Sequence, residues 1–355
     1  MRAECASLYV AGNQRVVGCS MSQGPDLGSS TRLLVVAPHP DDETLATGGL
    51  IQEALSAGAH LRVVILTDGD NNPWPQRWIE KRWRIDAEAR VRWGARRRGE
   101  ATTALSRLGV AAHDIRHFGW PDQGLTALLM RDSQCEDRLV AEILDFAPDL
   151  IAAPSLADRH PDHNAARAML ELALARTPQA SCRRLGFVVH GTMIGRECLA
   201  LATNEEQVRI KQQALQAHAS QLVLSRKRMT RICGRIEQFE SSGAQSAPAA
   251  TAHQGDWQIP YRHSGLRLHR RALYLIAEVG GQMIRTRLPL PRSLACAVTH
   301  TVPGDRGLLT VQLHAAVDGL RINLASEYVI HQAFAKVQRL GPRILIYDDA
   351  GWMRK

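Results

Sequence analysis

The sequence predicts an α/β protein: a parallel sheet with helices on both faces, followed by a small, mostly β C-terminal appendage. Three observations carry that prediction. From Arg32 onward, short and continuously apolar runs alternate with amphipathic stretches of helical length, the pattern of strands buried on both faces. Residues 241–256 are rich in Ser, Ala, Gly and Pro and read as a linker. Within 257–355, the runs Leu273–Glu278, Leu294–Val302, Leu308–Ala316, Leu320–Leu324 and Arg343–Tyr347 are β-type and divided by Gly, Pro and Asp.

Taken in order, residues 1–30 lack periodicity and are expected to be a disordered leader, with Met21 an alternative start. A strand at 32–37 leads to a helix at 43–57, a strand from Leu61 to Thr67 and a single basic helix at 80–107. A strand from Asp114 to Phe118, a helix at 136–146, a strand at 149–153 and a helix from 163 follow. In such Rossmann-like sheets, ligands bind beyond the carboxyl ends of the strands. That is where the chemistry-bearing motifs fall.

The first motif is Pro38-His39-Pro40-Asp41-Asp42-Glu43, directly after the apolar run Leu33–Ala37. The second, His160-Pro161-Asp162-His163, follows the apolar run Leu150–Ala153. A hydrolytic metal site needs about three protein ligands and an open position for water, and imidazole with carboxylate oxygen suits zinc. His39, Asp42 and His163 form such a set. The His-x-x-Asp spacing lets His39 and Asp42 reach one ion and leaves Asp41 free to act as a base. Two plainer readings exist: Asp-Asp-Glu at a helix start also serves as cap and dipole partner, and His-Pro-Asp-His can be a polar loop.

Both motifs, with three further stretches, resemble the PIG-L/LmbE-like family of metal-dependent N-deacetylases. Arg97-Arg98-Gly99-Glu100 resembles its Arg-x-x-Glu helix, Pro121-Asp122-Gln123-Gly124-Leu125 its substrate loop, and Lys211 to Gln221 its late Lys-x-x-Ala-x-x-x-His-x-Ser-Gln helix. The resemblance covers residues 31–240. It implies His39, Asp42 and His163 as zinc ligands, with iron(II) an alternative occupant. It also implies Asp41 as general base and His160 as partner of the oxyanion. Arg97, Asp122 and His218 are the expected substrate-binding residues, Arg97 for an anionic group and Asp122 for sugar hydroxyls. The implied activity is hydrolysis of the acetamide of an N-acetylated amino sugar, carried by a glycolipid, a nucleotide-sugar or a surface-polysaccharide precursor. The alternatives are an amidase of a glucosamine-containing thiol conjugate and a non-catalytic sugar- or nucleic-acid-binding protein.

The chain departs from the family at two positions that border the expected substrate. Asp158 stands where an aromatic is common, and His190 where an acidic residue is common. Gly48-Gly49 do not make a dinucleotide fingerprint, because the strand runs into His-Pro-Asp-Asp; they are expected to allow close helix packing. The His-x-x-Asp spacing in an alternating α/β pattern also disfavours the facial triad of a non-haem iron oxygenase.

Composition bounds the rest. With 355 residues, 45% of them hydrophobic and 22% charged, the chain can bury a sizeable core. No apolar run approaches the roughly 18 residues that a membrane span needs, and no signal peptide is expected, so the expected location is the cytoplasm. Seven scattered cysteines are expected to be free thiols. The net charge of +9 is concentrated in Lys81–Arg84 and Arg90–Arg98, interleaved with Trp83 and Trp93. That stripe reads as a solvated helix face; nucleic-acid binding, its rival, lacks any supporting motif, so no nucleic acid is expected.

Overall fold

The computed structural model describes residues 20–177, 182–191, 193, 197–242, 254–261, 270–291, 293–294, 296–305, 307–340 and 347–355. The chain opens with β1 (Ser20–Gln23), β2 (Arg32–Ala37), α1 (Asp42–Ser56), β3 (His60–Thr67), α2 (Pro73–Glu80) and α3 (Ala87–Arg107). Next come β4 (Ile115–Trp120), α4 (Leu125–Arg131), α5 (Gln134–Phe146), β5 (Leu150–Pro154), α6 (Pro161–Ala175), β6 (Arg183–Phe187) and β7 (Glu197–Ala202). Then α7 (Glu205–Ala217), α8 (Ala219–Ile232) and β8 (Ile236–Ser242) lead to β9 (Gln254–Ile259), β10 (Arg270–Val279) and β11 (Gln282–Pro289). The chain ends with β12 (Ala297–Gly304), β13 (Gly307–Ala316), β14 (Gly319–Ser326), β15 (Ile330–Leu340) and β16 (Met353–Arg354).

The chain divides into two compact units that interleave along the sequence. The first comprises residues 1–124, 142–158 and 182–244, the second 125–141, 159–181 and 245–355. The sequence divides at a linker near 241–256, most of which lies outside the described residues. In the structure α4, α6 and the start of α5 belong to the same compact unit as the C-terminal strands. The reason is specific pairing: Arg285 of β11 donates to the Leu129 carbonyl and to Glu136, and Arg354 of β16 donates to Glu171 of α6.

The first unit is built on an eight-stranded sheet of order β1-β7-β8-β6-β5-β2-β3-β4. Strands β6, β5, β2, β3 and β4 run parallel, and β8 is antiparallel to β6 and β7. Leu33, Leu34, Val35, Val36 and Ala37 of β2 are all fully buried, as expected of a central strand covered on both faces. The leader expectation needs correction, since Ser20–Gln23 pairs in parallel with β7; residues 1–19 lie outside the described residues. The expected single basic helix is also corrected. It is two helices, because Lys81 adopts a left-handed conformation that ends α2, and the Asp86 carboxylate caps α3 by accepting from the Ala89 N–H at 2.8 Å.

In the second unit, β11-β10-β15-β16 and β12-β13-β14-β9 form two antiparallel sheets. Leu309, Val311, Leu313 and Ala315 alternate inward along β13 and join Leu273, Leu275 and Ala277 of β10 in one apolar core. Of the expected strand Arg343–Tyr347, all but Tyr347 lies outside the described residues. Among the described residues no helix is long and apolar enough to cross a membrane, and Cys135, Cys182, Cys198, Cys233 and Cys296 are free thiols.

Candidate metal centre

In the first unit, β2 delivers His39 to a tight turn tied to β3, where the Thr67 N–H and hydroxyl both donate to the Pro38 carbonyl. Nδ1 of His39 lies 3.2 Å from Oδ2 of Asp42, which also accepts the His39 N–H at 2.9 Å. Nε2 of the same ring lies 3.2 Å from Oδ1 of Asp122. A buried imidazole is thus held between two buried carboxylates. Asp42 opens α1, where the helix dipole favours its charge. This donor set, imidazole nitrogen with carboxylate oxygen, fits a divalent metal of the zinc or iron type.

Asp41 stands just before α1 with φ 138°, a strained region for a residue with a side chain, costing on the order of 1–3 kcal/mol. Its carboxylate makes no capping bond and instead accepts from Nη2 of Arg97 at 3.1 Å, with the side chain 15% exposed. Burial pushes the Asp41 carboxyl up to about 6, with Arg97 opposing and the neighbouring Asp42 adding to the rise. Asp122 goes the other way. Burial raises it, but the hydrogen bond and charge of His39, then Arg97 and the Asn71 N–H, hold it below the usual carboxylate range.

Arg97, expected to hold an anionic part of the substrate, is placed beneath the turn. Its guanidinium donates to the carbonyls of Gly69 at 2.8 Å and Pro40 at 2.6 Å as well as to Asp41. Gly69, at φ +60°, is required there, because a Cβ would lie 1.8 Å from Nη1 of Arg97. Asp122 sits on the expected loop and accepts the Asn71 N–H at 2.7 Å. His218 does not reach this group directly: its Nε2 lies 3.3 Å from Oε1 of Glu43 and 3.1 Å from the Thr44 hydroxyl, on α1.

The late motifs hold the scaffold together. The expected single helix around His218 is two, α7 and α8, meeting at that residue. The Ser220 N–H and hydroxyl donate to Glu100, so the Arg-x-x-Glu and His-x-Ser motifs meet in space. Lys211 pairs with Glu237 at 2.6 Å, and Glu237 accepts the N–H groups of Gly49 and Leu50. Gly48-Gly49 do serve close packing: a Cβ at Gly48 would lie 3.0 Å from the Lys211 side chain, and one at Gly49 2.4 Å from Thr203. Of the two departures from the family pattern, Asp158 meets the other only through its backbone, its buried carboxylate accepting the N–H groups of Val189 at 2.7 Å and His190 at 3.1 Å.

In the second unit, His160 is the N-cap of α6, its Nδ1 accepting the Asp162 N–H at 3.2 Å, and Pro161 fills the first helical position. His163 is fully buried one turn on, the two ring centroids 4.9 Å apart. Asp162 accepts the Leu125 N–H at 3.1 Å. Sequence reasoning missed what steadies this turn. Asn164 donates to the His160 carbonyl at 2.9 Å and to Asp348 at 3.2 Å, Lys336 donates to Asn164 at 3.2 Å, and the fully buried Lys336 ammonium pairs with Asp348.

Residues 34–174 match the PIG-L family profile, described as GlcNAc-PI de-N-acetylase. These residues are a PIG-L domain. A curated relative from Mycobacterium avium (strain 104), 1D-myo-inositol 2-acetamido-2-deoxy-alpha-D-glucopyranoside deacetylase, is 33% identical over 153 residues, covering 39% of this chain and 49% of that one. The chain therefore spans about half the length of the curated relatives it matches. Among solved structures, a triple mutant of the deacetylase of teicoplanin biosynthesis is 23% identical, covers 60% of this chain and 98% of its own, and superposes with a TM-score of 0.48. GalB, a 4-carboxy-2-hydroxymuconate hydratase from Pseudomonas putida KT2440, is 18% identical and covers 66% and 99%, with a TM-score of 0.43.

Proposed function

We propose that this chain is a divalent-metal-dependent N-deacetylase that hydrolyses the acetamide of an N-acetylated amino sugar. The observation that carries the proposal is the turn after β2, which places His39 between Asp42 and Asp122 and sets beside them Asp41, with its carboxyl raised to about 6. The PIG-L match and the deacetylase name of the mycobacterial relatives support the reaction class and an amino-sugar substrate. Under this reading His39, Asp42 and His163 hold the metal, zinc being the expected ion and iron(II) the alternative. What supports that set is that β2 and β5, the strands preceding the two motifs in sequence, are parallel neighbours, with Leu33 opposite Leu150 and Val35 opposite Ala152.

The metal, when bound, polarises the amide carbonyl and acidifies water. Asp41 takes a proton from the attacking water, and its raised pKa suits that exchange near neutral pH. The water oxygen bonds to the carbonyl carbon, the C–N bond breaks, and the proton held by Asp41 passes to the departing amine, giving acetate and a free amino sugar. His160 is the proposed partner of the oxyanion. Arg97 fixes the turn and the Asp41 rotamer, and Asp122 orients the His39 ring. The reaction is proposed to occur in the cytoplasm.

The test is acetate release from a panel of N-acetylglucosamine derivatives, using metal-depleted protein and protein reconstituted with zinc or iron(II), alongside Asp41→Ala. Metal-dependent release that the variant loses while still binding metal supports the reading. Failure to bind metal, or release indifferent to it, overturns it.

A further inference from the structure

Helix α2 wears its apolar groups on the outside. Gln76 is fully buried, donating to the Ala89 carbonyl at 2.7 Å and to Glu80 at 3.1 Å, while Trp74 and Trp78 are 57% and 56% exposed. Trp83, in the turn after the helix, is 78% exposed. The Arg77 guanidinium lies between Trp74 and Trp83, 4.9 Å and 4.8 Å from the ring centroids, and the Lys81 ammonium sits 4.6 Å from the Trp78 ring. A water-facing helix normally shows the reverse pattern, since exposing three indoles forgoes their burial.

Of the nine Arg or Lys residues from Arg77 to Arg98, Arg82, Arg90, Arg92, Arg96, Arg97 and Arg98 are paired with Asp86, Asp70, Glu80, Glu100, Asp41 and Asp68, which leaves Arg77, Lys81 and Arg84 as the cations beside the rings. Lys81 and Arg84 are exposed and form no ion pair with any described residue. Indole rings ringed by cations are the composition of a surface that lies at the headgroup level of an anionic bilayer, where the ring body is apolar, its N–H stays wet and the cations meet lipid phosphates.

We propose that Trp74, Trp78 and Trp83, with Arg77, Lys81 and Arg84, form a docking surface for an anionic phospholipid membrane. Nucleic acid, the other polyanion such a patch could meet, is the less favoured occupant, because Arg77 or Lys81 already occupies one face of each indole and leaves fewer faces for bases to stack on. The surface docks the chain peripherally and needs no spanning helix.

The experiment is co-sedimentation of the full chain with vesicles of phosphatidylcholine alone or mixed with phosphatidylglycerol, together with tryptophan fluorescence. It uses no substrate, so its outcome is independent of the proposed hydrolysis. Binding to the mixed vesicles with a blue-shifted emission is expected, weakening with salt. The Trp74→Ala/Trp78→Ala/Trp83→Ala variant is expected to lower partition by more than about tenfold, and Lys81→Ala and Arg84→Ala by roughly fivefold each. Trp83→Ala alone, in a turn outside both helices, reports the same effect more weakly if the triple variant fails to fold. Absence of vesicle binding, binding that the tryptophan variants leave unchanged, or tighter binding to single-stranded DNA than to the mixed vesicles would each overturn the proposal.

Discussion

The two strand-to-helix turns that carry the motifs are steadied in different ways. The turn after β2 is short, and its supports come from inside the α/β unit: Arg97 from α3 clamps Pro40, Gly69 and Asp41, and Glu43 and Thr44 meet His218 behind it. The turn that opens α6 relies on residues far along the chain, with Asn164, Lys336 and Asp348 forming a buried cluster under the His160 carbonyl. The first turn stores strain at Asp41 and leaves that carboxylate uncapping; the second is a relaxed N-cap with a proline behind it. The difference teaches that the His39 turn is steadied from within the α/β unit, whereas the His160 turn is supported by residues of the C-terminal region.

The largest effect should come from the strained turn. Asp41→Asn keeps the volume and the hydrogen bond from Arg97 but removes the base, and kcat is expected to fall by about 10²- to 10⁴-fold with bound metal retained. Inductively coupled plasma analysis beside the rate separates chemistry from binding. A variant with normal kcat would show that the turn's strain serves something other than proton transfer.

Next, Lys336→Ala attacks the second turn from a distance. It leaves the Asp348 carboxylate buried without its ion partner, which is expected to cost about 3–5 kcal/mol in denaturant unfolding. The double variant Lys336→Met/Asp348→Leu, which removes both charges, should regain most of that loss. If single and double variants were equally unstable, the cluster would matter for packing rather than for charge.

Arg97→Lys sharpens the comparison from the other side. A lysine keeps the positive charge but cannot span two carbonyls and a carboxylate at once, so metal affinity by competition with a chelator should fall roughly 10- to 100-fold. Unchanged affinity with a raised KM for an anionic substrate would instead place Arg97 on the substrate. The smallest effect is expected for Gly49→Ala, where the new methyl meets Thr203, at about 1–3 kcal/mol of stability and little change in rate constants.

The first turn was legible because its signals are local: a buried strand, His-x-x-Asp spacing and a helix start within a dozen residues. Spacing also placed β2, β3 and β5 to within a residue of where they lie. The basic stretch was misread as one helix because its cations continue unbroken through the turn, although Asp86 ahead of Ala89 is a cap that the sequence displays. Asp158 and His190 stood out only as departures; that one binds the other's backbone is a pairing across 32 residues, and no local pattern encodes it. The Lys336 and Asp348 pair is still less visible, since a lone lysine in an alternating strand reads as a solvent-facing residue until burial is seen.

The chain passes between its two units five times before its last segment. A gene shortened to end near residue 242 would encode every recognisable motif and yet lack Lys336 and Asp348, which bond Asn164, and Arg354, which bonds Glu171. Deletion boundaries drawn from motif coverage alone would therefore cut through the second unit, parting the helix that bears His163 from the strands and the Asp348 segment that bond it.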